Sequence, residues 1–352
     1  MNRVACSLWL ASLLWGASAI AHDLPLSYID LHVNEAGIEA TIETSAKNFA
    51  RELRGLDEET LLLQPAAQWD GLFALAASRL EIDGDGAALR PEFRGMEALP
   101  ARKDIRLRLF YPFQRTPEKI SLRCGLFSAD PRHKTFVNVY RGEALKYQDI
   151  LSGSTLTREY VLARHQTTLS VIQQFVREGV HHIFIGPDHI LFLIGLLLLG
   201  GTITQLLKIV TAFTIAHSVT LVLATLNIVN PPARVIEAVI ALSIIFVGAH
   251  ALLHRGQTRD WRLLFAFGFG FIHGFGFANV LRAMELPPQA LGWSLFSFNL
   301  GVEIGQACIV LAIAPALALL ARRSAVVSRQ IVTAGSFAVI TAGAFWLTER
   351  LQ

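Results

Sequence analysis

The chain has 352 residues, 53% of them hydrophobic and only 17% charged, with a formal net charge of +3. Soluble globular proteins carry about 25% charged residues, whereas here the charge is concentrated before Arg177 and long apolar runs follow. The small net charge, placed in the first half and at the ends of apolar runs, gives a nucleic-acid partner no support.

Residues 1–21 read as a secretory signal: Arg3, a short apolar stretch over 4–15, and the small-residue cleavage site Ala19-Ile20-Ala21. Cleavage there would leave His22 first, an amine beside an imidazole, but one histidine without partners does not make a metal site. Residues 22–165 then form an extracytoplasmic β-rich domain, sandwich-like in its pattern of short strands. Ile29, Leu31 and Val33 alternate with polar neighbours, a turn follows at 34–37, and 38–44 repeats the alternation, which predicts a hairpin. Strand alternation recurs around Ile105–Leu107–Leu109, around Ile120–Leu122–Cys124–Leu126 and over 135–140, while 46–79 is partly helical in its spacing. Cys6 lies in the signal and Cys308 in an apolar run, so Cys124 has no disulfide partner in this domain. Scarce cysteine and methionine also leave a copper(I) route without ligands. No catalytic motif occurs in this half.

Residues 166–182 predict an amphipathic linker helix, with Val171, Phe175 and Val176 set among Gln173, Arg177 and Glu178. Over 183–352, apolar segments at 183–200, 209–229, 235–253, 263–281, 291–320 and 331–347 predict an all-α polytopic membrane bundle of about six helices. If the signal exports the first domain, Lys208, then Arg255, Arg259 and Arg262, then Arg322, Arg323 and Arg329 fall on the cytoplasmic side. Only Arg234, Arg282 and Arg350 fall outside, as the positive-inside rule requires. Both the N-terminal domain and the C-terminus would then be periplasmic.

Ionisable residues within apolar spans are functional candidates. The first segment holds His181, His182, Asp188 and His189, and Gly186-Pro187 breaks the helix so that Asp188 and His189 stand near a helix N-terminus. His217 lies in the second segment, His250 and His254 in the third, His273 in the fourth, and Asn299, Glu303 and Gln306 share one face of the fifth. Asp188, His189, His217, His273 and Glu303 fall at a similar, middle depth, whereas His250 and His254 lie nearer the cytoplasmic end and Glu237 nearer the outer end. Gly270 and Gly274, and Gly301 and Gly305, are small-xxx-small pairs that allow the fourth and fifth helices to pack closely. Imidazoles and carboxylates in a low-dielectric core fit either a divalent metal site or a structural hydrogen-bond network.

The segment His182-Ile-Phe-Ile-Gly186-Pro-Asp188-His189 resembles the signature of the HupE/UreJ family, His-Pro-x-x-Gly-x-Asp-His followed by Met and Gly. Ile183, Leu193 and Leu197 stand where that pattern has Pro, Met and Gly. The resemblance covers roughly 175–350, and the signal–outer domain–bundle layout resembles a branch of that family. It implies a membrane protein associated with hydrogenase or urease maturation, or a nickel or cobalt permease, in a Gram-negative inner membrane. It carries metal-related roles to His182, Asp188 and His189; His217, His273 and Glu303 join the candidate set on depth alone.

Three readings stay open. In the first, a permease or delivery protein handles nickel, cobalt or zinc, and the outer domain captures the ion or docks a periplasmic protein. In the second, a non-catalytic assembly or sensory protein has a structural polar core. In the third, a membrane-embedded metalloenzyme activates water beside Glu303, although the sequence has no His-Glu-x-x-His or Gly-x-Ser-x-Gly.

Overall fold

The computed structural model describes residues 25–53, 57–100, 102–127, 130–142, 144–152, 156–163, 167–253, 260–283 and 288–351. The predicted signal, His22, His254, Arg255 and Arg259 lie outside these residues, as do the side chains of 277–290, Arg282 among them.

Among the described residues the N-terminal part holds ten strands: β1 (Leu26–Val33), β2 (Gly37–Ser45), β3 (Leu80–Gly84), β4 (Ala87–Leu89), β5 (Glu92–Leu99), β6 (Asp104–Pro112), β7 (Lys119–Cys124), β8 (Lys134–Arg141), β9 (Ala144–Ser152) and β10 (Thr157–Val161). They form one sheet in the order β5-β6-β2-β1-β8-β9 and another in the order β10-β7-β3-β4. The expected hairpin is β1–β2, paired from Ser27↔Thr44 to Val33↔Ile38. Alternate residues of β1, β2 and β6 turn inward and meet Leu80, Ile82, Ile120 and Leu122 of the second sheet in one buried cluster. Three short helices cover it: α1 (Ala46–Glu52), α2 (Glu58–Leu63) and α3 (Trp69–Arg79). Ser45 caps α1 by accepting from Asn48 N–H at 3.3 Å, and Asp57 caps α2 by accepting from Thr60 N–H at 2.7 Å.

His133 is buried beside β8, stacked on Phe127 at 4.4 Å, with Nε2 2.9 Å from Ser27 Oγ. Burial pulls its pKa down to about 4, against an opposing pull from Asp130. The unfolded chain takes up this proton near pH 6.5. Between about 6.5 and 4 the unfolded state therefore binds more protons, and stability falls as pH falls. Calorimetric unfolding of the whole chain from pH 7 to 4.5 is expected to lose on the order of 3 kcal/mol through this group. A His133→Gln variant should lose less over the same range; equal losses would remove His133 as the cause.

The remaining helices are α4 (Thr168–Ile185), α5 (Pro187–Leu197), α6 (Ile203–Thr225), α7 (Ala233–Leu253), α8 (Arg262–Ala283), α9 (Pro288–Arg323) and α10 (Ala325–Leu351). Among the described residues α6, α7, α9 over Leu291–Arg323, and α10 are long and apolar enough to cross a membrane. The pair α4–α5, bent by 71°, makes a fifth if the two are one broken span, and α8 is apolar over Arg262–Gly276. The linker helix continues past residue 182 to Ile185, so His182 is its last-turn residue. Gly186 caps α5, Pro187 occupies its first turn, and Asp188 follows there, because proline lacks the N–H that a continuous helix would need.

Helix α6 packs on α8, α4 on α9, and α7 on α10. The two glycine pairs serve different contacts rather than one between their own helices. A Cβ on Gly270 would meet Phe213 O of α6 at 2.5 Å, and one on Gly301 would meet Val176 O of α4 at 2.1 Å. At the far end of the bundle, Arg262 is 5% exposed and ties three elements together. Its Nη1 donates to Leu196 O at 2.8 Å, in the last turn of α5, and to Gly200 O at 2.7 Å, past its C-terminus. Its Nη2 donates to Asp260 at 2.9 Å, and Asp260 also accepts from Gln205 of α6.

The β-rich part rests on the bundle through β8 and its neighbours. Tyr28 and Phe136 stack at 5.5 Å and join Phe175 of α4 in the bundle's own hydrophobic cluster. Ser294 of α9 donates to Gln148 at 3.5 Å, and Lys134 pairs with Glu178.

Candidate metal centre

The break at Gly186 decides the site. Because α4 ends there and α5 restarts at an angle, His182 from one helix and His189 from the next meet edge to face, their rings 4.8 Å apart. His189 is the hub. The ring of His273 on α8 lies 5.1 Å from it and that of His217 on α6 lies 6.2 Å away. His182, His189 and His217 each offer a donor atom, and the three atoms lie within 4.8 Å of one another.

The hydrogen bonds around these rings assign their tautomers. Asp188 Oδ1 accepts from His189 N–H at 2.9 Å and lies 3.2 Å from His189 Nδ1, so Nδ1 carries the proton and Nε2 presents its lone pair. Asn299 donates through Nδ2 to Leu295 O at 2.9 Å, which aims its Oδ1 at His217 Nδ1, 3.1 Å away. His217 therefore also presents Nε2. Ser243 Oγ donates to Ile240 O at 2.6 Å and must accept from His273 Nε2 at 3.0 Å, which leaves Nδ1 of His273 as the lone pair. His189 Nε2, His217 Nε2 and His273 Nδ1 are all buried without a hydrogen-bond partner. One nitrogen anchored by an acceptor and the other held bare is the arrangement of a metal-binding imidazole.

Aromatic rings close the space. Phe192 lies 5.1 Å and Phe213 5.2 Å from His273, and Phe298 lies 5.4 Å from His182. Such a wall strengthens every charge interaction inside it.

Of the six residues nominated from sequence, His182, His189 and His217 bring donor atoms together, Asp188 bonds to His189, and the His273 ring lies beside it. Glu303 does not belong to the group of donors that meet; Thr211 Oγ1 donates to its Oε1 at 2.5 Å. Gln306, on the same face, accepts from Thr214 at 3.0 Å. His250 lies 5.2 Å from the Phe265 ring, among aromatic neighbours of α7 and α8. Sequence reasoning placed Asn299 on the right face without giving it a role, and it passed over Ser243, a lone serine in an apolar helix, for which spacing gives no signal.

The sequence model of the HupE / UreJ protein family matches residues 158–350, more than half of the chain. The chain belongs to the HupE/UreJ family. The match begins in β10 and covers α4 to α10, so all six nominated residues and the anchors Asn299 and Ser243 lie within the HupE/UreJ region. The strands β1 to β9 precede it. No curated protein matches this HupE/UreJ chain.

Proposed function

We propose that the protein is a multi-pass membrane permease or delivery protein for a divalent transition metal such as nickel, cobalt or zinc. In this reading the ion is cargo, held between the break at Gly186 and helices α6 and α8. One observation carries the reading: three buried imidazoles each keep one nitrogen bare while the other is anchored to Asp188, Asn299 or Ser243. Each buried bare nitrogen costs about 1–3 kcal/mol if nothing binds it. A purely structural network would use those nitrogens instead of leaving them bare. Neutral imidazoles with a carboxylate behind them suit borderline divalent ions better than copper(I) or calcium. Family membership supports the same reading, since the resemblance implies metal-related accessory and permease functions.

The bent pair α4–α5 together with α6 to α10 would make six crossings, which returns the C-terminus to the side of the β-rich domain. The bond from Arg350 Nη1 to Glu237 O, 2.8 Å, and that from Arg234 to Leu351 O support this, since they join the start of α7 to the end of α10. On that topology the β-rich domain is a periplasmic two-sheet sandwich above an inner-membrane bundle, where it receives the ion or a protein that carries it.

The test is metal content and uptake in cells expressing the protein or an Asp188→Ala/His189→Ala variant at equal membrane levels. Accumulation of nickel, cobalt or zinc by the wild type and its loss in the variant is the expected result. Equal accumulation by both, with no metal on the purified protein, would overturn the reading.

A further inference from the structure

The metal centre is not the last place where a carboxylate and an imidazole converge. Glu178 and His181 lie one helical turn apart on α4, above His182 on the side of the β-rich domain. Between them sits the ammonium of Lys134, which comes from the other domain. Lys134 begins β8, anchored by its backbone N–H to Pro25 O at 3.0 Å, and its side chain reaches across to α4. Its Nζ binds Glu178 Oε2 and lies 3.2 Å from His181 Nδ1. An ammonium only donates, so His181 Nδ1 faces it with a lone pair. The side chains of Lys134 and Glu178 are 15% and 23% exposed, so the group is sheltered while water still reaches it.

We propose that Glu178 and His181 form an outer cation station, and that Lys134 is its built-in occupant. This rests on the permease reading above for its role, though not for its geometry. The point held by Nζ is where a divalent ion would take one carboxylate oxygen and one neutral imidazole nitrogen, with water completing its shell. Two protein donors hold an ion weakly enough for it to leave again, as a step on a conduction path requires. An arriving ion must displace the ammonium, and that loosens β8 from α4.

An ordinary inter-domain ion pair would use the same Lys134–Glu178 contact. It is not needed to seat the domain, since Tyr28, Phe136 and Phe175 already share a core and Gln148 meets Ser294. A partly exposed pair also adds little stability. The two readings differ in the number of ions bound.

The experiment counts cobalt(II) bound per chain by equilibrium dialysis of the purified full-length protein. It compares wild type, Lys134→Gln, Lys134→Arg, and Lys134→Gln combined with Glu178→Gln or with His181→Ala. Lys134→Gln is expected to bind one more cobalt(II) than wild type, and Lys134→Arg, which keeps the charge, is expected to bind none extra. Adding Glu178→Gln or His181→Ala should abolish the gain. The gain should persist with His189→Ala/His217→Ala, which separates the station from the centre below. No gain in Lys134→Gln, in protein whose melting point matches wild type, would overturn the proposal. So would a gain that survives either Glu178→Gln or His181→Ala. Failure of the permease reading looks different: wild type binds no cobalt(II) while Lys134→Gln still gains one.

Discussion

Replacing Arg262 by methionine is expected to destabilise the protein by about 3 kcal/mol, read as the unfolding midpoint in detergent. The side chain is almost fully buried, and its two bonds satisfy Leu196 O in the last turn of α5 and Gly200 O just beyond it. Each is a bond to a charged donor, worth about 1.5–3 kcal/mol, and its loss strands an acceptor. The ion pair with Asp260 contributes less, because that carboxylate is 30% exposed and water replaces the guanidinium. Lysine should therefore restore little, since a single ammonium cannot reproduce a planar fork that serves two carbonyls and a carboxylate at once. The variant also frees the far end of the helix that carries His189, so metal affinity should fall with stability. Unchanged stability in Arg262→Met would mean that these carbonyls are satisfied by other means.

The second large effect is expected at Gly301. Helices α4 and α9 touch backbone to backbone there: a Cβ on Gly301 would stand 2.1 Å from Val176 O and 3.0 Å from Gly179 Cα. The reciprocal Cβ on Gly179 would stand 2.0 Å from Phe298 O. Overpacking usually costs about 1–3 kcal/mol because side chains can shift. Here the obstacle is main chain, so the helices themselves must separate. Gly301→Val should cost about 3 kcal/mol or more, with Gly301→Ala milder. His182 lies three residues beyond Gly179, and Asn299 two before Gly301, so separation also spreads the donor set. A graded loss of melting temperature and of bound metal across Ala and Val is the expected pattern. Valine tolerated without loss of either would contradict the close crossing.

Much of this architecture is legible in the sequence. The hydropathy of the second half set the helices, since a bilayer demands long apolar runs, and Gly186-Pro187 announced the break that turns His182 towards His189. The β1–β2 hairpin was legible because its alternation is clean and its turn short. The parallel pairing of β1 with β8 was not, since it joins residues such as Ser27 and Thr135 that no local pattern connects. Strand β5 also escaped: an irregularity between Phe93 and Gly95 interrupts the alternation that marks a strand. In the bundle, counting residues along each span gives depth but not direction around the helix axis. Depth put Glu303 with the histidines, whereas its Oε1 accepts from Thr211 of α6. For the same reason the glycine pairs marked close-packing faces without saying which helix fills them.

The broken helix also has an electrical consequence. Helix α5 has 11 residues, about 16 Å at 1.5 Å per residue, roughly half of a ~30 Å hydrocarbon core. On the proposed orientation, an ion at His189 has therefore crossed about half of the membrane field before any helix shields it from the far side. Two charges moved through half of a 100 mV potential change free energy by about 2.3 kcal/mol, about 50-fold in occupancy. With the cytoplasm negative, the cell's own voltage would load this centre from the β-domain side, and depolarised vesicles would load it far less.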